Sequence, residues 1–440
     1  MRTGKAIFVT MVLSISLFQI SFAGLEFHGF FRNHSAFRTA EPNDAMLLRN
    51  RMRLNSELWG DNVYGFASVD FLNDIVTGDD TKLNLREAYL DIYGNWVDFR
   101  IGKQQVVWGK ADGYFINDIV NPLDLSLFLL QDFEDIRMAT TMLKTKLHYG
   151  NHSLELLVIP EFKPMNINFD GDWAFNRPDS FTAAINMGGG IMNLNLPINY
   201  QEDILPQSSL KNMEYGLKLN SFVFGTDISL IYLKAREDKP IMQKEIVINN
   251  LGILSAVNLY PSHPWFCFYG MNFSRPLGMF VLRGEGGYYP SRHFDYVPEN
   301  QAEMMISNFL LTKPFIQGML GVDYQLTGSI NVAVQGIQER ILNYENSMKF
   351  NDEINQLGSL MVNASLFNET VLPMWLVLYN LTNDSYLSRI MVDWKYSDSF
   401  TITAGTDVLG GGSDANSSGQ FDFGQFDKND NVYLKLKYSF

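Results

Sequence analysis

The sequence predicts an all-β protein: a transmembrane up-and-down antiparallel β-barrel of about 18 strands, with about 16 as the neighbouring even count. Three observations predict it. An export signal opens the chain. Segments of about ten residues then alternate apolar and polar side chains, as in a sheet with lipid on one face and water on the other. Between those segments, tight turns and long loops alternate without a break.

The signal comes first. Arg2 and Lys5 form a basic start, Ala6 to Phe18 an apolar run, and Ser21, Phe22 and Ala23 a small-x-small cleavage site. A membrane anchor needs about 20 apolar residues, more than this run supplies. Residues 1–23 therefore read as a cleaved signal peptide and 24–440 as one barrel domain, exported to the Gram-negative outer membrane. Losing Arg2 and Lys5 takes the 34 basic residues to 32 against 48 acidic ones, a net charge of −16. That balance excludes a nucleic-acid partner, whose phosphates require basic residues. Cys267 is the single cysteine, so no internal disulfide can hold the exported chain. No later stretch approaches 18 consecutive apolar residues, which leaves strands as the way across outer-membrane lipid.

The connections follow. Gly, Asn, Asp and Ser clusters mark tight turns at 60–62, 94–96, 150–152, 224–226, 276–278, 326–329, 368–370 and 397–399. Longer insertions fall at 38–47, 73–81, 109–140, 160–212, 236–263, 290–314, 342–356, 381–385 and 410–430. The short turns are expected at the periplasmic end and the long loops outside. A soluble sandwich or propeller would have turns of similar length at both ends.

Side-chain parity assigns faces. Arg49, Arg51, Arg53 and Glu57 oppose Met52, Leu54 and Leu58; Asp98 and Arg100 oppose Val97, Phe99 and Ile101. Lys144 and Lys146 oppose Leu143 and Leu147, with Glu155 on the next strand. Lys218, the pair Arg283 and Glu285, and the trio Arg389, Asp393 and Lys395 repeat the pattern. A charge at the lipid midplane costs about 2–4 kcal/mol, so these residues are candidates to line a pore. Arg49, Arg51, Arg53, Arg100, Lys144 and Lys146 allow two readings. One is an ion-pair network with Glu57, Asp98 and Glu155 that holds the wall and the inserted loop. The other is a basic ladder that guides an anionic solute. Trp59, Trp96, Tyr149, Tyr324, Tyr396 and Phe440 lie near the short turns, where an aromatic girdle belongs.

The insertion 109–140 stands apart. Asn121 and Pro122 read as a helix start, Asn as cap, Pro at the first helical position and Asp124 near the positive dipole end. The following turns, with Leu127 and Phe128, are apolar nearly all round, so the segment needs cover on every side. A constriction loop folded into the lumen supplies it. There Asp132, Glu134 and Asp135 would meet Arg51, Arg53, Lys144 and Lys146, and Arg137 would tether the return. The loop 160–212 carries Met165, Phe169, Trp173, Phe175, Phe181, Met187, Met192 and glycines 188–190. These side chains either capture a greasy substrate or pack with the 109–140 loop as a plug.

No catalytic constellation is present. G-x-S-x-G, H-E-x-x-H and phosphate-loop motifs are missing, and His34–Ser35 and His152–Ser153 put their side chains on opposite faces. Asp427, Asn429 and Asn431 start a calcium-loop pattern that fails at Val432 and Tyr438. Divalent bridging by Asp407, Asp414, Asp422, Asp427 and Asp430 at the mouth stays open. Neither a cofactor nor a metal is called for.

GKQQVVWG at 102–109, N-P-x-D at 121–124, the acidic-x-x-Arg element Glu134 to Arg137 and VIPEF at 158–162 carry a resemblance. The sequence resembles a little-characterised family of proteobacterial outer-membrane proteins found beside resistance-nodulation-division (RND) transporters. The resemblance implies a porin-like or export channel for hydrophobic or amphiphilic molecules, an inner-membrane RND-type transporter as partner, and no catalytic residues. The layout is also distantly similar to alginate-export barrels, although the mixed-sign interior departs from their basic lumen. The terminal Phe440 resembles the signal read by the barrel assembly machinery. The expected function is passage of solutes. Pump-assisted lipid or polymer transport, a surface adhesin and a barrel hydrolase are the alternatives.

Overall fold

A computed structural model describes residues 24–440 except 77, 176, 178, 187–190, 251, 295–309, 346, 349–350 and 413–421. The signal region 1–23, Met187, glycines 188–190 and Asp414 lie outside the described residues, as do the side chains of Phe181 and Met192.

Among the described residues, 18 strands close a barrel. They are β1 (Leu25–Arg38), β2 (Ala45–Trp59), β3 (Val63–Asp74), β4 (Asp79–Tyr93), β5 (Val97–Gln104), β6 (Thr140–Tyr149) and β7 (His152–Ile159), then β10 (Glu214–Val223), β11 (Thr226–Arg236), β14 (Trp265–Leu277), β15 (Phe280–Phe294), β16 (Leu311–Thr327), β17 (Ile330–Ile341), β18 (Ile354–Ala364), β19 (Val371–Asn380), β20 (Tyr386–Lys395), β21 (Phe400–Gly410) and β22 (Asn431–Ser439). Each wall strand pairs antiparallel with the next, and β22 returns to β1 from Phe30–Ser439 to Arg38–Asn431. Closure pairs backbone groups across the seam, which is what a sheet in an apolar solvent requires.

Short turns gather at one end and long loops at the other, in the order the sequence predicts. Two long loops carry strands of their own. β8 (Ser180–Asn186), β9 (Ile191–Tyr200), β12 (Ile241–Ile248) and β13 (Leu254–Ser262) make a separate four-stranded sheet over Leu196, Val257 and Leu259.

The parity reading holds in the wall. In β22, Val432, Leu434, Leu436 and Tyr438 are exposed on the outer face, while Tyr433 and Lys435 turn inward. The outer face repeats this around the barrel, with Leu90, Ile101, Leu217, Leu230, Leu320 and Val334 all exposed. The wall is uneven in height. β4 has 15 residues and β5 has 8, and they pair only between Ala88–Lys103 and Tyr93–Asp98.

The interior is packed by the segment between β5 and β6. One apolar cluster joins Val106, Trp108 and Val120 to Leu157, Leu233, Phe268 and Phe315 of the wall. A second joins Leu127, Phe128 and Leu130 to Leu47, Leu378, Leu409 and Phe426. Trp173 and Phe175 of the 160–212 loop pack beside Phe128 in that second cluster. The aromatic residues of the two loops therefore share one core.

Candidate functional site

The segment 105–139 crosses the barrel interior in two limbs, residues 105–121 and 122–139. The predicted helix is not there. Asn121 is a buried junction instead of a cap: its side-chain oxygen accepts from the Val106 N–H at 2.6 Å. Its amide donates to Gln104 O, Met138 O and Thr140 Oγ1 at 3.0–3.2 Å. Backbone groups of both diverging strands thus find partners in one side chain, which outweighs a capping role. Pro122 accepts from the Met138 N–H, Leu123 bridges Arg137, and Asp124 bridges Asn166. The Asp124 carboxylate accepts from Ser126 and Asn166 rather than sitting at a helix dipole. A single 3₁₀ turn, Phe128–Leu130, replaces the helix. Phe128 has φ +42°, a left-handed conformation costing about 1–3 kcal/mol, and Phe426, Trp173 and Phe175 surround its ring.

The first limb docks through its main chain. Glu285 on β15 accepts from the Lys110 N–H and from the Asn117 N–H at 3.1 Å. Trp108 O receives Asn272 Nδ2 at 2.6 Å and Lys218 Nζ at 3.3 Å. Gln317 donates to Ile116 O, and Gln335 accepts from the Asp112 N–H. Arg283 holds Lys110 O, Asp112 and Asp323 together. The Trp108 ring is 1% exposed, and its Nε1 donates to Glu155 at 2.7 Å. A Cβ on Gly216 would lie 2.6 Å from that ring, so only glycine fits the wall there.

The second limb docks through its carboxylates. Asp132 pairs with Arg32 and with Lys435 at 2.5 Å. Asp135 pairs with Arg51, with Arg53 at 2.8 Å and with Arg86 at 3.2 Å. Burial opposes ionisation of Asp132, but Lys435 and Arg32 outweigh it and hold the carboxyl far below the usual range. Asp135 is held low in the same way, by Arg51 and Arg53 against burial. Arg389 donates to Leu129 O and forks onto Asp407. Between the limbs, Arg137 pairs with Asp118 and lies over the stacked rings of Phe115 and Phe133. Burial pushes the Asp118 carboxyl up, with Arg137 pulling the other way.

Several expected contacts are corrected. Lys144 and Lys146 do not meet the insert; among the described residues they have no ion-pair partner, and neither does Lys395. Glu134 is exposed, and its backbone oxygen, not its carboxylate, receives Arg86. Arg49 pairs with Asp74, Arg53 also with Asp70, and Arg100 with Asp91. The partners predicted for the ladder are used elsewhere: Glu57 by His28, Asp98 by His148, and Glu155 by Trp108. Asp393 accepts from Thr403. Phe440 bonds Gly29 through both its backbone N–H and its C=O.

Parity on the last strand sets Tyr433, Lys435, Lys437 and Ser439 inward, and Lys435 does meet Asp132 there; Arg32 was missed, although the same alternation applied to β1 would have found it. Arg86 was hidden by the irregularity between Ser68 and Val69, which brings both Arg86 and Glu87 to the interior. As for metals, Asp132, Glu134 and Asp135 bring ligand atoms within 4.8 Å of one another. Basic partners already neutralise two of the three. The acidic residues proposed to bridge divalent ions at the mouth disperse: Asp407 on β21 holds Arg389, while in the loop Asp422 caps Gly424 and Asp430 accepts from the Leu409 N–H.

The barrel is similar to solved outer-membrane structures at low identity. Pseudomonas aeruginosa OccK2 (OpdF) aligns with TM-score 0.52 and 10% identity, covering 94% of this chain and 97% of that one. Acinetobacter baumannii OccAB1 aligns with TM-score 0.51 and 10% identity, covering 94% and 96%. OccK2 in complex with glucuronate aligns with TM-score 0.51 and 9% identity, covering 94% and 97%. A search of curated proteins found no match. Across residues 76–362 the chain matches a protein-family model, and it belongs to that family, described as a protein of unknown function, DUF1302.

Proposed function

We propose that the protein is an outer-membrane channel whose lumen passes small anionic or amphiphilic solutes and is narrowed by residues 105–139. The observation that carries this reading is a closed 18-strand barrel with a charged interior that an anchored segment crosses. Lys144 and Lys146 form no direct ion pair among the described residues, although Lys146 faces Asp98 and Glu155 across the ladder, so their ammonium groups are available to a passing anion. The wall arginines already hold Asp132 and Asp135, so they are shaped to receive carboxylates. OccK2, a barrel of similar fold, has been solved with glucuronate, itself a carboxylate. An export signal at 1–23, the barrel assembly machinery reading Phe440 and an RND-type transporter in the inner membrane belong to the same proposal.

Planar-bilayer recording of the purified barrel tests it. Stepwise conductance with a reversal potential favouring chloride over potassium is expected. A barrel that inserts but stays silent, or that prefers potassium, would overturn the reading.

A further inference from the structure

Strands β2 to β4 turn a strip of aromatic side chains into the lumen. Trp59 shares the parity of Arg51, Arg53 and Glu57, so it faces inward and leaves the outer girdle. Tyr64 and Phe66 share the parity of the buried Ser68 and Asp70. Tyr89 and Tyr93 share that of the buried Asp91, whose neighbours Leu90 and Ile92 are exposed on the outer face. In the ladder Trp59 stands opposite Tyr64, and Phe66 opposite Tyr89. Ring centroids lie 4.4 Å apart for Trp59 and Tyr64, 6.3 Å for Tyr64 and Tyr89, and 5.3 Å for Tyr89 and Phe66. The strip is therefore continuous, and it sits at the short-turn end of the barrel. The interior of such a barrel is polar by default. Among the described residues, these rings join none of the apolar clusters that hold the insert. Trp59 stays 55% exposed and Tyr93 45%. A contiguous apolar surface left facing water marks a binding place.

The charges around the strip are ordered. On the β2 side Glu57 lies beside His28. In the middle Arg100 forks onto Asp91 at 2.6 and 2.7 Å, and its guanidinium lies 4.0 Å over the Tyr89 ring. Tyr93 also donates to Asp91, so that carboxylate is satisfied within the wall. On the far side Lys144 of β6 stands opposite Arg100 and has no ion-pair partner among the described residues. Strands β4 and β6 are about 10 Å apart across β5. A cation thus lies one small molecule's length from the rings, with an acid at the opposite end.

We propose that the strip binds planar aromatic carboxylates, their rings stacked along Trp59, Tyr64, Phe66 and Tyr89 and their carboxylate on Lys144. Aromatic pairs gain from offset and edge-on geometry beyond the area they bury, which an aliphatic group does not reproduce. A carboxylate turned the other way meets Glu57. The proposal rests on the channel reading and adds the class of solute and the place where it pauses.

The test records the intact barrel in planar bilayers and titrates the purified barrel by calorimetry. The probes at neutral pH are 2-naphthoate and its saturated counterpart, decahydro-2-naphthoate. Naphthoate should block the current at a concentration at least tenfold lower. Tyr64→Leu with Tyr89→Leu should remove that preference, whereas Tyr64→Phe with Tyr89→Phe keeps the rings and should keep it. Trp59→Leu, at the exposed end of the strip, should cost part of the preference even where the leucine pair fails to insert. Lys144→Gln should weaken naphthoate several-fold and leave neutral 2-naphthalenemethanol unchanged. Equal block by the two acids, or a preference that survives the leucine substitutions, overturns the site while conductance keeps the channel. Calorimetric binding of naphthoate that needs Tyr64 and Tyr89, in a barrel without conductance, overturns the channel and keeps the site.

Discussion

The first limb of the insert offers the wall its main chain, and the second offers side chains. Glu285, Asn272, Gln317 and Gln335 reach N–H and C=O groups of residues 108–117. Asp132 and Asp135, by contrast, project from the second limb into five basic groups of β1, β2, β4 and β22. A main-chain dock fixes the path of the segment whatever side chains it carries. The carboxylate dock adds two charged points to the apolar packing of Leu127, Phe128 and Leu130 and the bond from Arg389 to Leu129 O, and only those two points answer to charge. The first limb should therefore behave as part of the wall, and the second as the part that can be released.

The largest effect comes from removing both. In-frame deletion of 113–134 should raise single-channel conductance several-fold and sensitise cells to bulky antibiotics. A barrel that inserts normally with unchanged conductance would show that neither limb narrows the path.

The two docks also differed in legibility. Period-two parity gave the barrel, its even strand count and the inward Arg51 and Arg53, since charge on a lipid face is too costly to be accidental. The acidic run at 132–135 then had an obvious partner. The first limb carried no such sign: a wall glutamine bonding a backbone N–H looks like any polar lumen residue. The helix expectation failed because Asn121 and Pro122 suit a cap and first turn locally, whereas four hydrogen bonds to two parting strands hold Asn121 elsewhere. The early end of β5 was unreadable because strand ends follow from where the next segment is anchored.

Single substitutions sharpen the contrast. Asp135→Ala leaves Arg51, Arg53 and Arg86 facing each other around a lost carboxylate. Breaking one partner of a buried ion pair costs about 3–5 kcal/mol. The second limb should then fluctuate, giving noisy open-channel current and stronger chloride preference. Glu285→Gln keeps one acceptor and loses a charge-assisted bond, about 1.5–3 kcal/mol, with little change in selectivity. If Glu285→Gln proves the noisier channel, the assignment of fixed and releasable limbs is reversed.

The smallest effect is on pH, and its sign separates the limbs. Asp132 and Asp135 are held below their unfolded values, chiefly by Lys435, Arg32, Arg51 and Arg53 against burial. Their contribution is present above the unfolded carboxylate value and is lost only as pH falls through a much lower folded one. Asp118 is raised by burial, so its contribution is full below the unfolded value and is lost as pH rises through the folded value. Mild acid should thus protonate Asp118 and neutralise its side of the Arg137 pair while the second limb keeps its charges and stays docked. The Trp108 backbone N–H donates to Asp118 Oδ1, which puts the carboxyl beside this residue, so Trp108 emission, taken as the difference from a Trp108→Phe variant, reports the step. The emission should shift on acidification toward the ordinary carboxylate range, and Asp118→Asn should remove the shift and hold the acid spectrum at neutral pH. A shift that survives Asp118→Asn but vanishes in Asp132→Asn would place the first proton on the second limb, where the arginines should forbid it.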